Sequence, residues 1–232
     1  MQPRIAVIIP ALNEEIALPR VLADLPQTLI AEVVVVDNGS SDQTAAVARA
    51  KGATVLSEPR RGYGWACLAA IAYLKAKAPD IVVFLDADYS DYPDELPAVI
   101  APIVTGAYDL VIGSRTKGKA EAGALLPQAR FGNALATQLI RWLYGFTYSD
   151  LGPFRAVRFS ALLELGMADR TYGWTVEMQI KAVRRGLRIT EVPVRYRKRA
   201  SGESKVSGTL KGTVLAGAKI LWTVFRYART SP

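Results

Sequence analysis

The stretch EVVVVDNGSSDQT, residues 32–44, places an unbroken valine run directly before a cluster of polar and turn-forming residues. A short apolar run that ends at Asp37 has the composition of a strand buried on both faces. The Ser and Asp residues that follow commonly cap helices, and helical spacing continues over residues 42–51. The stretch therefore predicts one strand–helix unit of a parallel sheet.

Similar units lie on both sides of this one. Four more short apolar runs have the composition of buried strands, at residues 5–10, 53–57, 80–86 and 109–114. Helical spacing occurs between them at residues 17–25, 62–76 and 94–104. This alternation predicts an α/β fold with a mainly parallel, Rossmann-like sheet flanked by helices.

The sequence changes in character after Arg115. A loop with Gly, Lys and Glu leads into two predicted helices and a strand, at residues 127–144, 174–185 and 188–196. Half of the residues are hydrophobic, and no internal repeat is present. We therefore expect one domain over residues 1–232, in which the part from residue 116 onward covers the part that ends at residue 115.

Composition excludes several kinds of chemistry. The chain has no histidine and a single cysteine, Cys67, which excludes Ser-His-Asp and Cys-His centres, an internal disulfide and an ordinary zinc site. The formal net charge of +8 suits an anionic partner such as a phosphate, a nucleic acid or an acidic membrane surface. Any catalysis must therefore use carboxylates, basic side chains or a bound ion.

Polar residues follow the predicted strands at their carboxyl ends. In an open parallel sheet these ends meet at one edge, where ligands bind. The residues concerned are Asn13, Glu14, Asp37, Asn38, Asp86, Asp88 and Arg115. Helix caps and turns account for part of this set but account poorly for Asp86 and Asp88, so we expect a ligand crevice here.

Asp86 and Asp88 are the strongest candidates for metal ligands. In an extended segment they would project to the same side, where two carboxylates repel each other unless a cation lies between them. Mg²⁺ and Mn²⁺ prefer such oxygen ligands and leave positions for substrate phosphates. The alternative is a solvated acidic turn. Asp91 is expected to begin the turn before Pro93 rather than to bind the metal.

Other nucleotide-binding motifs are missing. No G-x-G-x-x-G follows the first predicted strand, and RRGYGWA supplies only Gly62 and Gly64. A G-x-x-x-x-G-K-[ST] loop is also absent. Arg60 and Arg61 are either an exposed basic pair or phosphate contacts.

A set of short motifs, in order along nearly the whole chain, resembles one family. They are IPALNEE (9–15), VVVVDNGSSDQT (33–44), DADYSDYPDEL (86–96), GSR (113–115), FRA (154–156) and RASGESK (199–205). Together they resemble the inverting family-two glycosyltransferases of GT-A fold, of the dolichol-phosphate mannose synthase type. One departure is Ser90, which stands where those synthases have a glutamine.

On the donor side, the resemblance implies a nucleotide-diphosphate sugar, either a UDP-sugar or GDP-mannose, held by residues 1–115. Pro10 and Glu14 would lie by the nucleoside, and Asp37 would contact the base or ribose. Asp86, Ala87 and Asp88 form the D-x-D motif, in which the two aspartates hold Mg²⁺ or Mn²⁺ on the diphosphate. Asp88 is thereby also a catalytic candidate, because metal polarisation of a leaving phosphate lowers the barrier.

On the acceptor side, the resemblance implies a polyprenyl phosphate held by residues 116–232 with help from Arg115. The candidate phosphate-binding residues are Arg115, Arg130, Arg199, Ser204 and Lys205. For Arg130 and Arg199, ordinary solvated faces remain the alternative.

The need for a general base depends on the acceptor. A phosphate oxygen is already ionised near neutral pH, so positioning and charge screening would suffice. A hydroxyl acceptor would need a carboxylate base, for which Glu177 is the leading candidate and Asp150 the next. The alternative for Glu177 is a polar residue on a half-buried helix.

Two amphipathic stretches, residues 131–144 and 208–229, combine Trp, Tyr and apolar residues with Lys and Arg. They predict either peripheral contact with acidic lipid headgroups or packing on the enzyme's own core. Without an evident export signal or uninterrupted span, we expect a cytoplasmic protein with a peripheral contact at the inner membrane face.

The expected function is thus metal-dependent transfer of a hexose to a polyprenyl phosphate. The alternatives are a glycosyltransferase with a soluble hydroxyl acceptor and a sugar-phosphate nucleotidyltransferase. A nucleic-acid-binding module ranks last, because basic clusters near residues 184–188 and 195–199 also fit phosphate binding in a crevice.

Overall fold

A computed structural model of the chain describes residues 2–201 and 210–228. Its strands form one sheet in the order β3-β2-β1-β4-β6-β5-β7. The strands are β1 (Ile5–Ala11), β2 (Glu32–Asp37), β3 (Thr54–Ser57), β4 (Ile81–Phe84), β5 (Leu110–Ser114), β6 (Arg155–Arg158) and β7 (Ile189–Pro193). All neighbouring strands are parallel except where β6 pairs with β4 and β5. The predicted α/β fold with a mainly parallel sheet is confirmed.

Helices connect these strands and cover both faces of the sheet. They are α1 (Leu18–Asp24), α2 (Thr44–Ala50), α3 (Tyr63–Leu74), α4 (Leu96–Val104), α5 (Pro127–Tyr144), α6 (Phe159–Leu165), α7 (Trp174–Arg184) and α8 (Leu210–Ala228). Two short 3₁₀ helices occur at Gln27–Leu29 and Pro93–Glu95. The ends of the predicted helices agree with these bounds to within about two residues.

Strand β6 and helix α6 were not predicted from the sequence. β6 is antiparallel and inserts between β4 and β5, so that Val157 pairs with both Val82 and Leu110. Its sequence RAVR has only two apolar residues between arginines, and Arg155 is nevertheless 1% exposed. The buried Arg155 is tolerated because other segments of the fold supply hydrogen-bond acceptors for it. Its guanidinium donates to the Leu151, Gly152 and Thr175 carbonyls.

The two faces of the sheet pack against separate hydrophobic cores. Alternate residues of β1 belong to different cores, with Ile8 on the face covered by α3, α5, α6 and α7 and Ile9 on the face covered by α1 and α4. Full burial of such a side chain contributes roughly 1.5–3 kcal/mol. Burial on both faces holds β1 and β4 side by side, which fixes where the loops after them emerge.

Helix α8 is attached to the domain by polar contacts along its length. Tyr144 of α5 donates a 2.5 Å hydrogen bond to the Val224 carbonyl, and Lys219 forms a 2.9 Å ion pair with Asp169. Exposed apolar side chains of α8 include Trp222 (49%). None of the described helices is long and apolar enough to cross a bilayer.

Candidate active site

A cavity of about 350 Å³ lies beside the loop that follows β4. Polar side chains from this loop and from the end of β5 form part of its wall, and helices α5, α7 and α8 supply much of the rest. The lining residues used below are Tyr63, Asp86, Asp88, Arg115, Ala129, Gly132, Asn133, Tyr172, Trp174, Tyr196, Ala216 and Gly217. The cavity thus brings together residues from both parts of the chain.

Asp86 and Asp88 both line this cavity, but the predicted geometry between them was wrong. β4 ends at Phe84 rather than at residue 86, and Ala87 and Asp88 form a turn instead of an extended segment. The Asp88 Oδ1 atom closes the turn by accepting hydrogen bonds from the Ser90 backbone N–H (3.0 Å) and hydroxyl (2.5 Å). The Ala87 side chain between the two aspartates is buried. Because of the turn, Asp86 and Asp88 line the same cavity.

The carboxylates here lie in an environment that disfavours negative charge. Burial, followed by repulsion from Asp88, raises the pKa of Asp86 to about 7, against an ordinary 3.8. Burial, followed by repulsion from Asp86 and Asp88, also raises the pKa of Asp91 well above its ordinary range. Asp91 is 1% exposed, so its carboxyl group does not belong to a solvated turn. Such a cluster of acids is stabilised by a positive charge.

Several carboxylate oxygens of Asp86 and Asp91 are buried without hydrogen bonds. Among the described residues, Asp86 Oδ1 and both side-chain oxygens of Asp91 have no partner of hydrogen-bonding geometry. Oxygens of this kind fit a hard divalent cation near the D-x-D turn. No group of three or more His, Cys, Asp or Glu side chains within residues 2–201 and 210–228 is arranged to hold a metal by itself. A cation here would therefore take further ligands from substrate phosphate and water.

Arg115 lines the same cavity and is held in place by Asp150. Its Nε and Nη2 atoms donate to the two Asp150 carboxylate oxygens at 2.9 and 2.7 Å. Burial opposes the charge, but this hydrogen-bonded carboxylate outweighs it and raises the pKa of Arg115. The guanidinium also lies 5.0 Å from the Tyr196 ring centroid. Asp150 is occupied by this pair, which disfavours its use as a general base.

Arg199 connects the donor-side residue Glu14 to the D-x-D turn. Its guanidinium lies 2.5 Å from Glu14 Oε1 and 3.9 Å from Asp88 Oδ2. Arg199 was predicted to bind the acceptor phosphate, whereas this placement puts it between two acids at the carboxyl ends of β1 and β4. It therefore adds a positive charge on the side of the turn that faces Glu14.

Pro10, Glu14 and Asp37 lie together at the ends of the two neighbouring strands β1 and β2. Ala11 pairs with Asp37 in the sheet, and Asp37 Oδ1 accepts a hydrogen bond from the Ser40 backbone N–H. Within the part of the chain that the structure describes, none of the three lines the 350 Å³ cavity. They lie at the same edge of the sheet, and the contacts of Arg199 with Glu14 and Asp88 connect them to the D-x-D turn.

Glu177 lies away from this cavity. It is fully buried on α7 and accepts hydrogen bonds from the Asp169 backbone N–H (2.7 Å) and the Tyr227 hydroxyl (2.5 Å). Lys181 completes the group with a 2.8 Å ion pair. Glu177 does not line the cavity, and its contacts instead join α7, the loop before it and α8. The structure therefore favours a structural role over the predicted role as base.

The remaining predicted acceptor residues lie elsewhere. Arg130 is exposed on α5 and lines a second cavity of about 590 Å³, to which Asp150 and Asn133 also contribute. Asn133 lines both cavities, so the two adjoin. Ser204 and Lys205 lie outside the described residues.

A family model described as "Glycosyl transferase family 2" matches residues 6–166. The chain belongs to this glycosyltransferase family. It is 42% identical over 213 residues to an uncharacterised glycosyltransferase of Mycobacterium tuberculosis, covering 91% of this chain and 94% of that protein. It is 36% identical over 215 residues to the dolichyl-phosphate hexose transferase of Haloferax volcanii, covering 91% and 90%.

Among solved structures, the glycosyltransferase is similar to glucosyl-3-phosphoglycerate synthase of Mycobacterium tuberculosis, in a complex with Mn²⁺, UDP and glucosyl-3-phosphoglycerate. The TM-score is 0.77 at 26% identity, and the match covers 99% of this chain and 81% of the other. The GT-A fold expected from the motifs is confirmed.

Several lining residues of this glycosyltransferase were not identified from its sequence. Tyr63 begins α3 within the segment RRGYGWA, and Tyr196 lies three residues after the end of β7, so both are close to segments that the sequence analysis recognised. Asn133 and Trp174 lie on helices whose amphipathic pattern shows only which side is buried. Their contribution to the cavity depends on how α5 and α7 pack over the sheet.

Proposed function

We propose that this glycosyltransferase moves a hexose from a nucleotide-diphosphate sugar, a UDP-sugar or GDP-mannose, to a polyprenyl phosphate with inversion at the anomeric carbon. Two similarities support the proposal. The related Haloferax volcanii protein is named for hexose transfer to dolichyl phosphate, and the similar solved structure contains UDP and Mn²⁺. Both are properties of those proteins, and they support the same activity for this chain.

The observation that carries the proposal is the absence of a spare base in the cavity. Of the residues that line it, within the described part of the chain, Asp86 and Asp88 are the only carboxylates, and the chain has no histidine. If these two carboxylates hold a cation, no lining carboxylate remains to take a proton from a hydroxyl group. A phosphate acceptor is already ionised and needs no such base.

The proposed reaction is a direct displacement. An acceptor phosphate oxygen forms a bond to the anomeric carbon while the bond from that carbon to the diphosphate oxygen breaks, and the electron pair leaves with the nucleotide diphosphate. A divalent cation bound through Asp86 and Asp88 would neutralise charge on this leaving group. Arg115, fixed by Asp150, supplies a positive charge in the cavity for phosphate oxygens.

The donor nucleoside is assigned to the site formed by Pro10, Glu14 and Asp37. This assignment gives residues 1–115 the donor side and residues 116–232 the acceptor side, as the motifs predict. Arg130 belongs to the acceptor side in this proposal. Its side chain has no hydrogen bond or ion pair among the described residues, and it faces the cavity that adjoins the catalytic one through Asn133.

We also propose that α5 and α8 contact the membrane surface. Both helices expose large apolar side chains, among them Phe131 (71%) and Trp142 (72%) on α5 and Val214 (60%) and Phe225 (46%) on α8. Neither helix sequence contains an Asp or Glu, whereas both contain Lys or Arg. Exposed apolar residues among cations complement an anionic lipid surface.

A soluble hydroxyl acceptor is the second candidate. It is favoured by the similarity to a structure whose product is glucosyl-3-phosphoglycerate. The two candidates are separated by incubating the enzyme and Mn²⁺ with UDP-glucose or GDP-mannose and either a polyprenyl phosphate or 3-phosphoglycerate. Transfer to the polyprenyl phosphate supports the proposal. Transfer to 3-phosphoglycerate alone, or to neither acceptor with any common donor, would contradict it.

A further inference from the structure

Small residues of two helices form one part of the catalytic cavity wall. Ala129 and Gly132 of α5 and Ala216 and Gly217 of α8 line the cavity that Asp86 also lines. Within the described residues, a Cβ atom placed on either glycine would meet no heavy atom within 4 Å, apart from neighbouring atoms of its own helix. No described residue therefore fills the space beside either glycine.

A side chain that lines the same cavity carries a polar group with no partner among the described residues. Trp174 lines the cavity and is 1% exposed, and its Nε1–H has no hydrogen-bond acceptor among the described residues. A buried indole N–H usually finds an acceptor. An oxygen-bearing ligand beside α7 would supply one, so the cavity has an unpaired donor on α7 as well as open space beside α5 and α8.

Exposed apolar side chains continue from the glycines along each helix. Leu135 lies one turn after Gly132 and is 37% exposed, and Val214 lies one turn before Gly217 and is 60% exposed. Residues three apart share a helix face. The open side of each glycine is thus continuous with apolar surface on the two helices proposed to contact the membrane.

The size of the cavity limits what it can enclose. A volume of about 350 Å³ is near the lower end for ligand pockets. It can hold reacting sugar and phosphate groups but not a long lipid chain as well. If the acceptor is a polyprenyl phosphate, most of its chain must therefore extend out of the cavity.

We propose that Gly132 and Gly217 form the two sides of a slot, the α5–α8 slot, through which the isoprenoid chain of the acceptor leaves the catalytic cavity. The inference rests on the proposed function, since it assumes a lipid-phosphate acceptor. Both residues are then specificity-determining, because a side chain at either position fills the space that isoprene units beyond the first occupy. Cations and the lack of acids on both helices match the anionic surface from which such an acceptor comes.

The test uses Gly132→Leu and Gly217→Leu in the full-length protein. The matched control is Ala218→Leu, which adds a similar side chain to α8 at an exposed position outside the cavity. Each variant is assayed with a long polyprenyl phosphate and with a prenyl phosphate of a single isoprene unit. Thermal unfolding and the affinity for UDP with Mn²⁺ show whether the fold and donor site are intact. Leucine also favours a helix over glycine, so the helices should persist.

We expect both glycine variants to lose roughly tenfold or more in kcat/KM for the long acceptor while transfer to the short acceptor and donor affinity stay near wild type. The control should resemble the wild type with both acceptors. Equal losses with both acceptors, or wild-type transfer to the long acceptor, would overturn the slot while leaving the proposed function standing. If the wild-type enzyme itself transfers to neither lipid phosphate, the proposed function fails, and the slot fails with it.

Discussion

Arg115 and Asp150 form a two-point ion pair across 35 residues of sequence, with Nη2 to Oδ1 at 2.7 Å. The arginine side chain is 15% exposed and the aspartate side chain 1% exposed. The Arg115 backbone N–H also donates to Asp150 at 2.7 Å, so one carboxylate fixes both the main chain and the side chain of the arginine. This arrangement fixes the positively charged Arg115 side chain at the wall of the 350 Å³ cavity.

We predict that Asp150→Ala lowers the free energy of unfolding by about 3–5 kcal/mol, because it leaves the Arg115 charge buried without its partner. The measurement is urea denaturation of the ligand-free protein. Asp94→Ala is the matched control, since it breaks the exposed Asp94–Arg195 pair and should cost less than about 1 kcal/mol. Equal losses in the free energy of unfolding for the two variants would show that burial of the Arg115–Asp150 pair does not increase its contribution to stability.

We predict a pH-dependent gain in stability for Asp86→Asn. Burial and Asp88 raise the pKa of Asp86 from 3.8 to about 7, so the folded protein retains a proton that the unfolded chain loses. The associated stability is present below about pH 4 and is lost as the pH rises through 7. Asparagine cannot ionise, so at pH 8 the variant should exceed the wild type by about 1–3 kcal/mol.

The Asp86→Asn comparison is made by denaturation in EDTA at a series of pH values. The difference from wild type should shrink toward zero near pH 4. A constant difference across this range would mean that the environment of Asp86 does not disfavour its charge.

For Glu177→Gln we predict a loss of stability rather than a loss of chemistry. The carboxylate accepts main-chain N–H groups and joins α7 to Tyr227 of α8, and removing its charge weakens these bonds by about 1–3 kcal/mol. Below the unfolding temperature, kcat should stay within a few-fold of wild type and its pH profile should be unchanged. A large fall in kcat together with loss of the acidic limb of that profile would instead establish Glu177 as a general base.

We predict that the double variant Trp222→Ala/Phe225→Ala binds anionic vesicles more weakly than the wild type, because it removes exposed apolar area from α8. Cosedimentation with phosphatidylcholine vesicles, with and without phosphatidylglycerol, measures the effect. Leu163→Ala, which removes an exposed leucine from α6, is the control. Undiminished binding of the double variant would contradict a membrane contact through α8.

Sequence patterns predicted the fold well for strands that are buried on both faces. The runs that became β1, β2 and β4 are apolar on both faces, and this pattern is specific to central strands of a covered sheet. β6 was not predicted because its four residues include Arg155. Burial of this arginine depends on carbonyl groups that other segments of the fold bring next to it. Local sequence cannot show such partners.

The candidate site, like the fold, could be predicted only in part from local sequence. Asp86, Asp88 and Arg115 follow strands directly, so their position at the edge of the sheet follows from topology. A turn at Asp88 was only the alternative to the expected extended segment, because the turn depends on a hydrogen bond from the Ser90 hydroxyl. Glu177 looked like a base because helical spacing gives no indication of which buried groups surround a carboxylate.

The central claim is that Asp86 and Asp88 hold a divalent cation on the diphosphate of the donor. Calorimetric titration of UDP and GDP into the wild type and Asp88→Asn, with and without Mn²⁺, tests it most directly. We expect Mn²⁺ to strengthen binding of one nucleotide to the wild type and to have no such effect on a folded Asp88→Asn protein. Equal Mn²⁺-dependent affinity in the two proteins would contradict the claim.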